Sequence, residues 1–438
     1  MAGGLIQLII KGPQDFFFTD NPEISFFKKI YKKHTDFTIE TKEIFLNSES
    51  SFDSISTFKI EKYGDLISNI SLHVFLPSLN NKIFNKKNII CTKDIEIDCF
   101  CNNCIKKQLE KIYGWTNSIG HVLIESAQLE IDNIIIDTQY GEWLEIWSEM
   151  SLSNDKKKGY NEMIGKQENI NPKTFSDKLE LIIPLNFYFS KNIGLALPII
   201  ALYKNDINVK IKWRKFNDCW ICNQYNSKPL IIPNFFASLY IDYIYLELEE
   251  RKRFIEDKNL YLIEQIQLNS ENFVNNTLNP SIKLNFKHIV KEIIWIIQRY
   301  DINQRSNDDE DLDFSYGNDW FNYTSFKSKN IDKDTFKTAY LSFNEDNISE
   351  PLPAIYYRLY QPYQYHNQIS CKNIYIKSFS LNPEEYQPSG SCNMSIIDNV
   401  KLNIKMNDIN KYDFIIKVFG ISYNFISIID GKIKLIFN

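Results

Sequence analysis

Cysteine supplies the first residues whose types and spacing could do chemistry. Cys99, Cys101 and Cys104 form CxCxxC in a stretch that also holds Cys91, and Cys219 with Cys222 forms CxxC further on. Thiolates this close together suit tetrahedral zinc, so Cys91, Cys99, Cys101 and Cys104 are candidate metal ligands that would close the loop 77–111. The plainer reading is free thiols in a reducing compartment, because no secretory signal is evident and disulfides are then disfavoured. Cys371 and Cys392 read as isolated thiols. No other metal and no cofactor is expected.

Other chemistry lacks an anchor. The five histidines, His34, His73, His121, His288 and His366, stand far apart. No HxH or HExxH pair therefore sets two imidazoles on one strand or helix face. GxSxG, GxGxxG and GxxxxGK[ST] are absent, which leaves hydrolase, dinucleotide and nucleotide readings without their loops. Glu384-Glu385 could serve a glycosidase that needs two facing carboxylates, but among 55 acidic residues such pairs arise by chance. The run Asp308, Asp309, Glu310, Asp311, Asp313 lacks the glycine and terminal glutamate of a calcium loop and reads as a solvated acidic loop. Sequons at Asn69, Asn275, Asn322, Asn347 and Asn393 are what an Asn-rich chain generates, and glycosylation is not implied. No enzymatic activity is expected.

What must position any site is a large apolar scaffold. The 438 residues are 44% hydrophobic and 14% aromatic, too many for one core, so two large domains are expected. A net charge of −5 offers no basic field for a nucleic-acid backbone. No run of about 18 apolar residues is present, and the chain reads as soluble and intracellular. Only 14 Gly and 14 Pro interrupt it, their place taken by Ile, Asn, Lys, Phe and Tyr, a bias that reports the coding sequence more than function.

Period-2 alternation dominates. Ile70, Leu72, Val74 and Leu76 fall on one face, as do Ile207, Val209, Ile211 and Trp213, and Val400, Leu402, Ile404 and Met406. These are half-buried antiparallel strands. Asp132-Asn133 and Asp430-Gly431 predict tight hairpins, since both pairs tolerate positive φ. Helical signal is scarce: Trp143, Ile146, Trp147 and Met150 make one stripe over 142–150, and 254–267 could hold a turn or two after the charge run Glu249 to Arg253, a plausible domain junction. Both halves, about 25–250 and 255–438, read as β-sandwiches or jelly rolls in tandem, without an alignable internal repeat. The segments 77–111, 154–177 and 305–335 read as long loops.

Particular segments then carry a resemblance. GPQDFFFTDNPEISFFKKIYKKH at 12–34, GWTNSIGHVLIESAQLEI at 114–131, YGEWLEIW at 140–147, GYNEMIG at 159–165, EERKRF at 249–254, YLIEQIQ at 261–267, YQPYQYH at 360–366 and PEEYQPSGSCNMSIIDN at 383–399 follow one another in a familiar order. Together they resemble the major capsid proteins of the nucleocytoplasmic large DNA viruses across nearly the whole chain. The resemblance implies an all-β double jelly roll: two tandem eight-stranded antiparallel jelly rolls with short helices in loops. It implies an arm at 1–24, a first jelly roll at 25–250 and a second at 251–438.

The function implied is that of a structural virion protein, a major capsid protein that trimerises into pseudo-hexagonal capsomers tiling an icosahedral shell. Its partners would be its own copies in a homotrimer, neighbouring capsomers, minor capsid proteins and an underlying viral membrane, with no sequence-specific nucleic acid. It would reside in the virion after assembly in the host cytoplasm. The arm, with turns at Gly3-Gly4 and Asn21-Pro22, would reach under the shell or across to a neighbour. Trp143 and Trp147 would anchor a loop helix to the first sandwich, and Tyr360, Pro362 and Tyr363 would sit at a packed strand entry in the second.

The segments Phe343 to Ile348 and Ile429 to Lys432 depart from the family pattern, and this keeps a minor capsid or scaffold paralogue of the same fold as an alternative. From another class, a carbohydrate-binding or cupin-like jelly roll would need an HxH pair or converging carboxylates. Metal analysis of the purified chain separates the two readings of the cysteines. Free thiols predict no bound zinc, and near-equimolar zinc would establish a site.

Overall fold

Alternating side chains lay down the strands, and the rows of buried apolar residues pair them. The computed structural model describes residues 5, 9–10, 12–46, 49–80, 83–84, 113–167, 177–222, 229–300, 317–324, 334–407 and 413–437. Residues 1–37 form one compact unit, with a helix at Pro13–Thr19, and residues 38–438 form another. Cys91, Cys99, Cys101 and Cys104, and the acidic run 308–313, lie outside the described residues.

Eight strands build a first sandwich: β1 (Phe37–Phe45), β2 (Ile55–Ile60), β3 (Leu66–Leu76), β4 (Ile124–Ile131), β5 (Ile134–Tyr140), β6 (Leu179–Pro184), β7 (Ile207–Trp213) and β8 (Phe236–Leu246). They form two sheets, ordered β1-β8-β3-β6 and β2-β7-β4-β5. Eight more strands build a second: β9 (Asn259–Phe273), β10 (Ser281–Lys283), β11 (Ile289–Arg299), β12 (Phe336–Phe343), β13 (Asp346–Asn347), β14 (Tyr375–Ser378), β15 (Val400–Met406) and β16 (Phe414–Ile429). Their sheets run β9-β16-β11-β14 and β10-β15-β12-β13, the same order advanced by eight. Short strands at Leu352–Pro353, Cys392–Asn393 and Lys432–Leu435 add to β12, β11 and β16. The architecture is a double jelly roll, and the repeat that the sequence hides is explicit in its topology.

The expected hairpins form where predicted. Asp132 and Asn133 take φ of 52° and 64° between β4 and β5, and Asp430 and Gly431 take 52° and 80° after β16. At Gly431 a Cβ would lie 2.6 Å from the Tyr203 ring, so only glycine admits this contact. Two local expectations are corrected. The segment 154–177 opens as a helix, α2 (Asn154–Met163), following α1 (Gly141–Ser151). Helix α3 (Leu248–Glu256) takes in the charge run itself, and Asn259 onward is the strand β9.

Strand β11 is buried on both faces. Ile293, Trp295 and Ile297 point into the second sandwich with Leu402, Ile404 and Val418. Ile294 and Ile296 join the cluster that contains Ile136, Trp143 and the interior of the first sandwich. The paired strand β16 divides in the same way, with Ile416 and Val418 on one side and Phe419 and Ile421 on the other. One sheet therefore closes two cores. Truncating either face removes buried volume that neighbours cannot refill. Trp295→Ala and Ile294→Ala are each expected to destabilise by about 3 kcal/mol or more. Lys401→Ala, on the polar side of β15, should stay within roughly 0.5 kcal/mol. Denaturant midpoints of the three variants check this.

Candidate functional site

Among the described residues the densest chemistry lies where the two sandwiches meet, around α1. Its apolar stripe, Trp143, Ile146 and Met150, is buried, and Trp143 packs on Phe419 of the second sandwich with ring centroids 5.5 Å apart. Trp143 also stacks on Trp147 at 5.7 Å. Gly141 starts the helix because a Cβ there would come within 2.2 Å of the His121 carbonyl oxygen. The tryptophans thus anchor a helix as expected, but they anchor it against both sandwiches.

A second stripe on α1 is acidic. Glu142, Glu145 and Glu149 recur at i, i+3 and i+7 and are all buried. Burial alone would raise their pKa values, and only close cations hold them ionised. Glu145 Oε1 accepts from Lys166 Nζ at 2.8 Å and Lys372 Nζ at 2.6 Å, while its Oε2 lies 2.7 Å from His121 Nδ1. Against the cost of burial, Lys372, His121 and Lys166 hold Glu145 well below the usual carboxylate range. Glu142 accepts from Lys417 Nζ at 2.7 Å and from Arg214 at 3.3 Å, and these two override burial to bring it down to about 2. Glu149 accepts from Lys157 at 2.6 Å and from Lys166. Lys372 and Lys417 come from the second sandwich and the other cations from the first. The ionic network is therefore a clasp between the two halves.

Hydrogen bonds extend the clasp. Asn318, between β11 and β12, donates to the carbonyls of Asn217 and Trp220, both at 2.7 Å, and its own carbonyl accepts from Thr116 at 2.6 Å. Trp320 donates its indole N–H to Asp218 O at 2.8 Å, and the Arg214 guanidinium lies 4.0 Å from the centroid of its ring. Gln265 of β9 donates to Ile136 O at 2.6 Å, and Asp137 accepts from the Ile266 amide at 3.2 Å. Lys191 of the first sandwich pairs with Glu264 of the second at 2.7 Å.

Carboxylates also gather round a cavity of about 350 Å³ between the sandwiches, lined by Trp147, Tyr188, Lys191, Glu264, Glu384 and Glu385. Glu264 is bound by Lys191 and Lys291. Glu384 lies 2.9 Å from Nδ1 of His366, whose Nε2 is 3.0 Å from Glu292. Glu384 is thus committed to an imidazole. Among the described residues no group of three or more His, Cys, Asp and Glu is placed to hold a metal ion. Cys219 is buried, and burial pushes its thiol up, away from the thiolate a metal needs.

Tyr360, Pro362 and Tyr363 lie on a helical segment, a π turn at Tyr356–Tyr360 running into the helix Gln361–Tyr365. Pro362 is buried, but Tyr360 and Tyr363 are exposed, so this is not a packed strand start. The acidic stripe of α1 was missed in sequence although its spacing was visible, because the cations that explain it are remote.

Comparison with known proteins agrees with this architecture. Residues 25–247 match the family described as major capsid protein N-terminus, and residues 250–433 match that described as large eukaryotic DNA virus major capsid protein. The major capsid protein of Pyramimonas orientalis virus is 30% identical over 458 aligned residues, covering 98% of each chain. Among solved structures, a chain of the PBCV-1 virus capsid superposes with a TM-score of 0.75 at 22% identity, over 94% of this chain and 100% of that one. The Faustovirus major capsid protein superposes with a TM-score of 0.73 at 14% identity, over 95% and 94%.

The buried His366 pair yields a pH prediction. Burial alone would lower its pKa, but Glu292 and Glu384 override it and raise the ring from 6.5 to about 9. A group whose folded pKa is raised contributes stability fully below its unfolded value and loses it as pH rises through the folded value. The stability advantage of the native chain over His366→Gln should therefore be full below pH 6.5 and fall as pH rises through 9. The loss should be roughly 3 kcal/mol. Denaturant titrations of both proteins across that window measure the difference.

Proposed function

The chain belongs to the family of large eukaryotic DNA virus major capsid proteins, and from that premise we propose that it trimerises into pseudo-hexagonal capsomers. These would tile an icosahedral shell over a viral membrane, after assembly in the host cytoplasm. The coarser function, a structural protein of the virion capsid, is that of the family. A structural neighbour is itself a chain of an assembled virus capsid.

What supports the trimer is an imbalance inside one chain. The outer face of β9-β16-β11-β14 is covered by β5 and α1 of the first sandwich. The topologically equivalent face of the first sandwich, on β1-β8-β3-β6, is uncovered and displays Phe45, Phe75 and Phe236, 69%, 44% and 60% exposed. The connection equivalent to α1 lies between β13 and β14, and it displays Ile355, Tyr360 and Tyr363. Each chain thus carries an unused copy of both sides of its own junction. Joining them between chains gives a heterologous contact that repeats the internal one, and such contacts form rings when the rotation closes. Six sandwiches from three chains make a pseudo-hexagon. Obligate interfaces of this kind bury more than about 2,000 Å² and resemble a divided core, which exposed aromatic residues on both sides suit.

Light scattering after size exclusion tests the reading. With chains of 51.8 kDa, a single species near 155 kDa, about three chains, is expected. Phe75→Glu combined with Tyr363→Glu should shift it to the mass of one chain without loss of native strand signal in circular dichroism. A native chain that stays monomeric at high concentration would sink the proposal.

A further inference from the structure

The proposed junction uses Phe45, Phe75, Phe236, Ile355, Tyr360 and Tyr363, and it makes no use of the segment 24–34 in the unit formed by residues 1–37. Its sequence is ISFFKKIYKKH. Ile24, Phe26, Phe27, Ile30 and Tyr31 are all exposed, and Phe27 is as accessible as in an extended peptide. The residues form no helix in the structure, only a turn at Phe26 and Phe27. Their order is nonetheless helical in period. Phe26, Phe27, Ile30 and Tyr31 recur at i, i+1, i+4 and i+5, and Lys28, Lys29, Lys32 and Lys33 occupy the positions between. On a helix the first set spans one face and the lysines the opposite one. A strand would mix the two sets on both faces.

The charge of the segment sets it apart from the rest of the chain. No acidic residue lies between Ile24 and His34, so the four lysines stand uncompensated. The chain as a whole carries −5, which leaves −9 for the remainder. An anionic surface would attract this segment and repel the remainder. Aromatic and aliphatic residues on one face with lysines on the other are the composition of helices that lie in a bilayer interface, held by apolar insertion and attraction to anionic lipid. As a helix the ten residues 24–33 would be about 15 Å long, half the roughly 30 Å hydrocarbon core of a bilayer, so the contact is with one leaflet.

We propose that residues 24–33 are a lipid-binding segment that folds into an amphipathic helix on an anionic membrane surface. The inference deepens the proposed function by naming the residues that would engage its membrane partner, and to that extent it rests on that reading. It does not need the trimer, so the two can fail separately.

The test uses the full-length protein and vesicles of phosphatidylcholine with or without about 30% phosphatidylserine. Flotation should recover the protein only with the anionic vesicles. Hydrogen exchange should show amides 24–33 protected only when those vesicles are present. Lys28→Gln with Lys29→Gln should weaken partitioning roughly 30-fold, and Phe26→Ser with Phe27→Ser by at least about tenfold. Mass by light scattering, measured on each variant, should match that of the native chain, which keeps lipid binding distinct from assembly. Equal recovery with neutral and anionic vesicles would overturn the proposal. So would unchanged binding by both variants, or protection of 24–33 that appears without lipid as protein concentration rises, since the last would make the partner another protein surface.

Discussion

The whole arrangement depends on the sheet β9-β16-β11-β14 being buried on both faces. An antiparallel sheet in a sandwich ordinarily keeps one face in water, which gives its strands alternating polarity. In β11 the side chains of Ile293 to Ile297 are all buried, because successive residues serve different cores. Neither core can be altered at this sheet without disturbing the other. That constraint makes residues 38–438 one compact unit, where tandem sandwiches could have been joined by a free linker.

Apolar packing across such a sheet is non-directional, and the charged clasp around α1 supplies direction. Glu142, Glu145 and Glu149 would be costly to bury alone. They are tolerable only when Lys372 and Lys417 arrive from the second sandwich to meet Arg214, His121, Lys157 and Lys166 of the first. A misdocked second sandwich would strand carboxylates without partners, so the clasp penalises wrong registers more than it rewards the right one. The same logic explains why Glu264 and Glu384, beside the inter-sandwich cavity, are held by lysines and by His366 and serve architecture.

The two sandwiches share strand order but no alignable sequence. Jelly-roll topology asks only for strands of the right length, alternation and turns, so two sets of residues can satisfy it independently. They differ in what covers them: the outer face of the second sandwich is occupied within the chain and that of the first is left open. In the proposed trimer this asymmetry is what would let copies of the chain repeat the internal contact.

Much was legible in sequence where the rule is local. Strands at 70–76, 207–213 and 400–406, the hairpins at Asp132-Asn133 and Asp430-Gly431, and the apolar stripe of α1 follow from period and turn chemistry. Local rules also misled: Ile263 and Ile266, both buried and three apart, mimic a helical spacing inside strand β9, and α2, without a buried residue, left no stripe to read. By itself, then, the sequence determined the all-β class, the paired sandwiches and the family, because alternation and ordered motifs are written along the chain. Only the tertiary structure decided which strands are buried twice and which cations meet the acidic stripe of α1. Those outcomes depend on residues more than 200 positions apart, Lys372 at Glu145 and Lys417 at Glu142, and no local pattern encodes which distant surface arrives.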